Sequence, residues 1–330
     1  MIKIKPIFSV PDSVLGSVLV DNIKQLVVTS CEGEAVTRAC IWSLEKKSTG
    51  LVAIQNSGLG NTINPLTSFV DLYKDKLSLK ILVGWRGAPT VKDELQHKKM
   101  GLITKDLLKS IGFNVEVSSN ITEVKKFILN DIPIGGMSAL LVPVGQLPKA
   151  KLKIQNSSDI NRVCPESLMP FLVEQSKEFD VVTISTGYNS RLYYTVSGIK
   201  PTYFSGSKLR PKVIYNVGAM GFTFAMGVQY HSMGKKVLVI DGDGSALMHF
   251  GSYQKRISDI PKTIILCNGV HDSVGGFETS FDMYESFSRR KDIMLATNLN
   301  EVKIFFLNKK YKICLVQTNS LSKTKLDRPI

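Results

Sequence analysis

Two motifs in the second half of the chain carry the residue types best suited to chemistry. An apolar run at 237–240 leads into Asp241-Gly242-Asp243-Gly244-Ser245, and a second at 263–267 leads into Asn268-Gly269. Asp243 offers a carboxylate oxygen, Asn268 an amide oxygen, and a backbone carbonyl just past Asn268 a third ligand for a small hard cation. The glycines allow backbone N–H groups to approach a phosphate, and a helix starting near Ser245 would point its positive end there. The motifs predict a Mg²⁺–diphosphate site.

A second candidate site lies in the first half of the chain. The loop Asn56-Ser57-Gly58-Leu59-Gly60-Asn61 directly follows an apolar strand predicted at 51–55. Glycine-bearing loops at the carboxyl ends of parallel strands bind ligands in open α/β sheets, although many are simply tight turns. Glu32 stands between a predicted strand and a predicted helix. Glu32 could have a function in the site, or its carboxylate could merely stabilise the helix N-terminus through the helix dipole.

These motifs sit in a regular alternation of apolar strands and amphipathic helices, which predicts βαβ units, an α/β class and two doubly wound, mainly parallel sheets. We detect no sequence repeat between the halves. The polar stretch 149–161 is the best linker candidate, and we place the domains at 1–150 and 166–330 with a linker at 151–165. The predicted strands are 25–29, 51–55, 79–83, 115–117, 137–144, 181–185, 237–241, 263–267 and 312–317, and the predicted helices are 33–45, a segment after 66, 104–111, 121–129, 166–175 and 221–230.

Composition narrows the functional class. The 330 residues carry a formal net charge of +14 and 43% hydrophobic residues, enough for real cores. Lysines are dispersed and no nucleic-acid-binding motif is present, so we expect a lysine-rich surface and no nucleic-acid partner. No apolar run is long enough to span a bilayer, and the N-terminus lacks signal-peptide features. The five cysteines form no metal-binding spacing. We expect a cytoplasmic protein without a membrane partner.

Longer stretches carry a resemblance to a known family. The chain resembles the phosphonopyruvate decarboxylases, with the sulfopyruvate decarboxylases as sister group, in nearly its whole length and in collinear order. The stretches that carry the resemblance are Val10-Pro11-Asp12-Ser13, Glu32-Gly33-Glu34-Ala35-Val36, residues 55–68 around Ser57-Gly58, Gly84-Trp85-Arg86-Gly87, Lys92-Asp93-Glu94, Gln96-His97, Ser185-Thr186-Gly187, Ser190-Arg191, Val217-Gly218-Ala219-Met220-Gly221, residues 242–249, and residues 268–276 with His271-Asp272-Ser273.

The resemblance implies a thiamine diphosphate-binding fold. Thiamine diphosphate would lie between the pyrimidine-binding domain (1–150) of one subunit and the diphosphate- and Mg-binding domain (166–330) of another. A homodimer or larger assembly with its active site at the subunit interface is therefore expected. Glu32 would hydrogen-bond the aminopyrimidine ring, and Asp243, Asn268 and the carbonyl of Val270 would bind Mg²⁺. The remaining cofactor-binding residues would be Ser57, Gly58, Thr186, Gly187, Gly218, Met220, Gly242, Gly244 and Ser245.

The resemblance also implies the reaction. We expect decarboxylation of an anionic 2-oxoacid, 3-phosphonopyruvate, to phosphonoacetaldehyde and CO₂ in phosphonate biosynthesis. The expected catalytic residues are Glu32, Asp12, His97 and His271, and the expected substrate-binding residues are Arg86, Lys92 and Ser273.

Two alternatives remain open: decarboxylation of sulfopyruvate or another anionic 2-oxoacid, and a non-catalytic paralogue that serves as a partner subunit. The sequence departs from the family pattern at Cys267, where an asparagine is common, and at Phe222, where histidine is frequent.

Overall fold

Parallel strands and helices alternate along the described chain, as the pattern predicts. The computed structural model describes residues 5–89, 91–148, 162–201, 211–216, 221–253, 256–287, 290, 292–320 and 326–329. The chain divides into two compact units, one of Met1–Lys153 with Val274–Ser280 and one of Ile154–Ser273 with Phe281–Ile330. The predicted linker lies outside the described residues as far as residue 161.

The first unit contains a six-stranded sheet in the order β2-β1-β3-β4-β6-β5, and every neighbouring pair is parallel. Its strands are β1 (Ile7–Ser9), β2 (Leu26–Val28), β3 (Gly50–Gln55), β4 (Leu79–Trp85), β5 (Asn114–Val117) and β6 (Met137–Pro143).

The second unit contains a six-stranded sheet in the order β13-β14-β10-β9-β7-β8, also parallel throughout. Read from β8, its strand order is the same as that of the first sheet read from β2. The strands are β7 (Val181–Ser185), β8 (Lys212–Asn216), β9 (Val237–Gly242), β10 (Lys262–Cys267), β13 (Ile293–Ala296) and β14 (Ile313–Gln317), and two short strands, β11 (Val270–His271) and β12 (Phe277–Glu278), lie between β10 and β13 in the chain.

Both sheets are covered on both faces, which makes them doubly wound. In β3, Val52 and Ile54 belong to one core cluster, while Leu51 and Ala53 belong to another. The β9 side chains divide in the same way, with Leu238 in one core cluster and Val239 in another. Because successive strand residues point to opposite faces, strands buried on both sides must be apolar throughout. The α/β fold prediction is confirmed.

Most predicted helices lie within two residues of their observed bounds, but several helices, among them Tyr188–Ser197 and Leu299–Leu307, were not predicted. The predicted helix at 104–111 starts earlier, at Lys98, and the helix expected near Ser245 begins at Asp243. Short elements such as β1, β8 and β13 were not predicted, because three to five residues give little periodicity. The regular helices are Gly16–Asp21, Glu32–Lys46, Lys98–Ser110, Ile121–Leu129, Pro165–Ser176, Tyr188–Ser197, Thr223–Ser232, Asp243–Met248, Met283–Ser286 and Leu299–Leu307, and an irregular helical segment runs from Asn56 to Lys76.

One pair of equivalent helices corrects the expectation of no sequence repeat. The stretch from Asn120 to Asn130 matches that from Asn298 to Asn308 at seven of eleven positions. In each unit a lysine near the start of a central strand reaches the carbonyl of the last asparagine, Lys80 Nζ at 2.6 Å and Lys262 Nζ at 2.8 Å. The repeat is short, because it covers one helix and its caps. The two sheets share a strand order without a shared sequence.

No helix within the described ranges is both long and apolar enough to cross a membrane.

Candidate active site

Asp243 is buried at the carboxyl end of β9, where the helix Asp243–Met248 begins. Its Oδ1 accepts a hydrogen bond from the N–H of Gly244 (2.8 Å), and its Oδ2 accepts one from the N–H of Gly269 (2.8 Å). Burial raises the pKa of the Asp243 carboxyl to about 7, and the nearby charge of Asp272 acts in the same direction. A bound cation would stabilise the charged form of such a carboxylate.

Asn268 follows the neighbouring strand β10 and is held by two hydrogen bonds. Its Nδ2 donates to Asp272 Oδ2 (2.6 Å), and its Oδ1 accepts from the N–H of Val270 (3.0 Å). A carbonyl oxygen has two lone pairs, so Oδ1 can bind a metal as well. Asp243, Asn268 and Val270 line one cleft, so the fold brings the three predicted Mg²⁺ ligands together.

The three predicted Mg²⁺ ligands include only one charged side chain, that of Asp243. Within the described part of the chain, no group of three or more His, Cys, Asp or Glu side chains could hold a metal ion. A Mg²⁺ ion at this cleft would therefore depend on one carboxylate, one amide and one backbone carbonyl, and a diphosphate would supply further oxygen ligands.

Gly242 and Gly244 have close neighbours where a Cβ atom would lie, so a side chain at either position would be crowded. A Cβ atom at Gly242 would lie 3.1 Å from Asn189 Nδ2, and one at Gly244 would lie 2.7 Å from Cε1 and Nδ1 of His271. Both glycines line the cleft. These glycines carry no side chain at the start of the helix Asp243–Met248, so the residues present fit a Mg²⁺–diphosphate group.

Residues that follow β7 also contribute to the cleft. Thr186 and Ser245 line the cleft, and Gly187 precedes the helix Tyr188–Ser197 with a φ of 91°. A side chain at Gly187 would be strained by this φ, and its Cβ would lie 3.2 Å from Ser273 Oγ. Strands β7 and β9 are neighbours on either side of the point where the strand order reverses, which is where open α/β sheets bind ligands.

His271 also lines this cleft. Burial lowers the pKa of its imidazole to about 4. At neutral pH the ring therefore offers one donor and one acceptor nitrogen and no charge.

In the first unit, Glu32 is buried at the start of the helix Glu32–Lys46. Its Oε2 accepts a hydrogen bond from Asn61 Nδ2 (2.7 Å). A Cβ atom at Gly58 would lie only 2.2 Å from Oε1. Burial raises the pKa of the Glu32 carboxyl, and the Asn61 hydrogen bond partly offsets this. The loop around Ser57, whose hydroxyl accepts a hydrogen bond from Gln55 Nε2, thus packs on Glu32.

Asp12 is a second buried carboxylate of this unit. Its Oδ1 accepts hydrogen bonds from the N–H groups of Val14 and Leu15, whereas its Oδ2 has no partner among the described residues. Burial raises the pKa of Asp12 to about 6. A Cβ atom at Gly84 would lie 2.7 Å from both carboxylate oxygens, so Gly84 is required for this arrangement. An unsatisfied buried oxygen of this kind marks a functional-site candidate.

Arg86 is firmly held and its charge is compensated. Its guanidinium donates to both carboxylate oxygens of Asp93, at 2.7 and 2.6 Å, and Nη2 lies 3.5 Å from Glu94 Oε2. Asn56 fixes the Arg86 backbone by accepting from its N–H (3.0 Å) and donating to its carbonyl (2.8 Å). Binding of a substrate anion by Arg86 would have to compete with Asp93.

The remaining predicted residues differ in their surroundings. His97 is buried, and burial together with the charge of Arg86 lowers the pKa of its imidazole to about 4. Lys92 and Ser273 are exposed. Gly218 and Met220 lie outside the described residues.

Sequence reasoning gave no role to several residues that hold this machinery. Asn61 contacts Glu32, Asp93 pairs with Arg86, and Asp272 fixes the Asn268 amide. Asn61, Asp93 and Asp272 lie within the motifs quoted above. Their polar side chains inside those motifs are the feature by which the sequence could have identified them.

Comparisons with known proteins identify the class of enzyme. The family model described as "Thiamine pyrophosphate enzyme, C-terminal TPP binding domain" matches residues 198–312, and thiamine pyrophosphate is another name for thiamine diphosphate. The fold and this match define an α/β enzyme that uses thiamine diphosphate.

Three relatives indicate which group of thiamine diphosphate enzymes this chain is similar to. The chain is 30% identical over 294 residues to phosphonopyruvate decarboxylase of Streptomyces viridochromogenes, covering 80% of this chain and 69% of the relative. It is 31% identical over 294 residues to phosphonopyruvate decarboxylase of Streptomyces hygroscopicus, covering 80% and 68%. It is 25% identical over 253 residues to sulfopyruvate decarboxylase of Methanosarcina acetivorans, covering 69% and 62%.

The chain belongs to the phosphonopyruvate decarboxylase family. It is therefore a carboxy-lyase dependent on thiamine diphosphate.

Proposed function

We propose that this enzyme decarboxylates 3-phosphonopyruvate to phosphonoacetaldehyde and CO₂, using thiamine diphosphate and Mg²⁺. The observation that carries the proposal is the cleft lined by Asp243, Asn268 and Val270, with Gly242 and Gly244 in the same lining. The choice of substrate rests on the two phosphonopyruvate decarboxylases to which the chain is similar.

The chain's own residues would hold the cofactor at both ends. Asp243, Asn268 and the Val270 carbonyl would bind Mg²⁺, and Thr186, Gly187, Gly218, Gly242, Gly244 and Ser245 would surround the diphosphate. When bound, thiamine diphosphate supplies the electron sink that allows CO₂ to leave a 2-oxoacid. Ser57, Gly58 and Met220 would position its rings.

Glu32 is suited to hold a proton for the aminopyrimidine ring. Burial raises the pKa of its carboxyl, so the protonated form is more favoured than in an exposed glutamate. Asn61 fixes one oxygen of the carboxyl.

The substrate would meet two sets of polar groups. Asp12, His97 and His271 are assigned to proton transfer, since burial moves the pKa of the Asp12 carboxyl upward and those of both imidazoles downward. Arg86, Lys92 and Ser273 are assigned to the phosphonate. The Arg86–Asp93 pair suggests that Arg86 orients the loop and donates to the substrate only when Asp93 shifts.

We further propose that residues 1–150 form the pyrimidine-binding domain and residues 166–330 the diphosphate-binding domain, and that the active site lies between subunits of a homodimer or larger assembly. We place the enzyme in the cytoplasm, in keeping with its five free cysteines, and in phosphonate biosynthesis. There, decarboxylation would draw forward an unfavourable upstream step.

A substrate panel tests the reaction. The purified protein should release CO₂ from phosphonopyruvate only with both thiamine diphosphate and Mg²⁺, and phosphorus NMR should detect the aldehyde. Absence of turnover under these conditions would refute the proposal. Faster turnover of sulfopyruvate would favour the second candidate, which the 25% identical relative supports.

The variant Glu32→Gln separates catalysis from binding. The glutamine carbonyl can still accept from Asn61, so cofactor binding should persist while turnover falls by at least a hundredfold, in the range typical of a lost general acid–base. If the wild-type protein neither binds the cofactor nor turns over, a non-catalytic partner subunit becomes the better interpretation.

A further inference from the structure

A basic cavity lies at the end of the second sheet opposite to the candidate active site. It has a volume of about 390 Å³, and Lys236, Lys262, Lys309 and Lys312 line it together with Phe179 and Phe306. Lys236 precedes β9, Lys262 begins β10 and Lys312 precedes β14. The active-site cleft meets the other ends of the same strands, roughly 17 Å away for a six-residue strand.

The cavity concentrates positive charge. Glu178 is the carboxylate in its lining. Among the described residues, none of Lys236, Lys309 and Lys312 forms an ion pair with a carboxylate. Like charges around one cavity repel each other, and a bound anion would remove that repulsion.

Two phenylalanine rings form an apolar part of the cavity lining. The rings of Phe179 and Phe306 meet edge to face with centroids 6.4 Å apart, and Lys236 Nζ lies 5.0 Å from the centre of the Phe179 ring. Lys262 is held rigidly, because its Nζ donates to the carbonyls of Phe305, Asn308 and Tyr311. Convergent charged groups over an aromatic surface, in a volume of several hundred Å³, are typical of small-molecule sites.

The first unit provides an internal comparison. A cavity of about 340 Å³ lies beside the equivalent repeated helix and includes Lys80, Phe127 and Asn130. Its charged lining is balanced, with Lys80 and Lys126 against Glu116 and Glu123. A second cavity of similar volume thus has a balanced charged lining, so the excess of lysine is particular to the basic cavity of the second unit.

We propose that the basic cavity of the second unit binds a small organic phosphate, with the phosphate groups on Lys236, Lys309 and Lys312 and an apolar ring on Phe306. This site is separate from the diphosphate cleft and needs none of its residues.

The test uses the protein saturated with thiamine diphosphate and Mg²⁺, so that the diphosphate cleft is filled. Adenosine diphosphate is titrated by calorimetry, with orthophosphate and adenosine as partial probes. Adenosine diphosphate should bind saturably, orthophosphate more weakly, and adenosine not measurably. Competition between adenosine diphosphate and thiamine diphosphate would overturn the proposal, and so would equal binding of adenosine.

Variants locate the site. Lys309→Gln combined with Lys312→Gln should weaken adenosine diphosphate binding at least tenfold, while Lys126→Gln in the balanced cavity should leave it unchanged. Circular dichroism checks that both variants fold. Equal affinity in the two variants, or no saturable binding by the wild-type protein, would overturn the proposal whatever the decarboxylase assay gives.

Discussion

The carboxylate of Glu32 packs directly on Gly58, so closely that a Cβ atom at position 58 would lie 2.2 Å from Oε1. The contact joins the start of the helix Glu32–Lys46 to the loop after β3. Gly58 is therefore required for the position of Glu32, independently of any contact that it makes with a cofactor.

Gly58→Ala should displace Glu32 and reduce kcat by at least tenfold. The physical reason is the steric clash, which the buried carboxylate can relieve only by leaving the Asn61 hydrogen bond. Steady-state kinetics measures the effect. Gly60→Ala is the matched control, because no atom lies within 4 Å of its added Cβ, and it should remain active. Equal activity in the two variants would contradict the steric argument.

Asp12→Asn should stabilise the protein in a pH-dependent manner. The pKa of Asp12 is raised from 3.8 to about 6 in the folded protein, so the folded state favours the protonated carboxyl. The contribution of Asp12 to the free energy of unfolding is therefore fully present below pH 4 and is lost as the pH rises through 6. The loss amounts to about 3 kcal/mol at pH 8. Asparagine cannot ionise and can still accept from Val14 and Leu15.

Urea unfolding at pH 5 and pH 8 measures this effect. The stability gained by the Asp12→Asn variant should be largest at pH 8 and shrink toward pH 5, and turnover should fall because a proposed proton-transfer group is lost. A gain that is the same at both pH values would indicate that ionisation of Asp12 is not its cause.

Asp243→Asn should abolish the Mg²⁺-dependent part of cofactor binding. The neutral amide is a weaker ligand for a hard cation than a carboxylate, and its NH₂ group cannot accept the Gly269 N–H hydrogen bond. In the wild-type protein, thiamine diphosphate with Mg²⁺ should raise Tm by several degrees over either alone, as binding to the folded state requires. The variant should lose that increment, and an undiminished increment would remove Asp243 from the metal site.

Lys262→Met should destabilise the protein more than Lys80→Met. Lys262 donates to two carbonyls at the end of the helix Leu299–Leu307 and to that of Tyr311 before β14, whereas Lys80 donates to one carbonyl. Loss of the donor from a partly buried carbonyl costs up to about 1–3 kcal/mol, and methionine fills the space of the lysine stem. Chemical denaturation should rank the variants in this order, and the reverse ranking would show that the capping bonds do not decide the cost.

Much of the fold could be predicted from the sequence because strands buried on both faces must be apolar along their length. The runs at β3, β9 and β10 were therefore visible, as was the Gly-Asp-Gly motif at the end of β9. The strand β1 is three residues long, and the helix Gly16–Asp21 six, so neither gives a clear period. The resemblance named Glu32 and Asp243, and the geometry then identified the groups that hold them.

The sequence alone determined the residue types of the site, the alternation that makes two parallel sheets, and the family. Only the tertiary structure revealed that Asp93 neutralises Arg86, that one oxygen of Asp12 is buried without a partner, and that lysines from three separate segments line one cavity. The reason is physical: composition and spacing act locally, whereas charge compensation, burial and pKa depend on residues that meet only when distant strands pair.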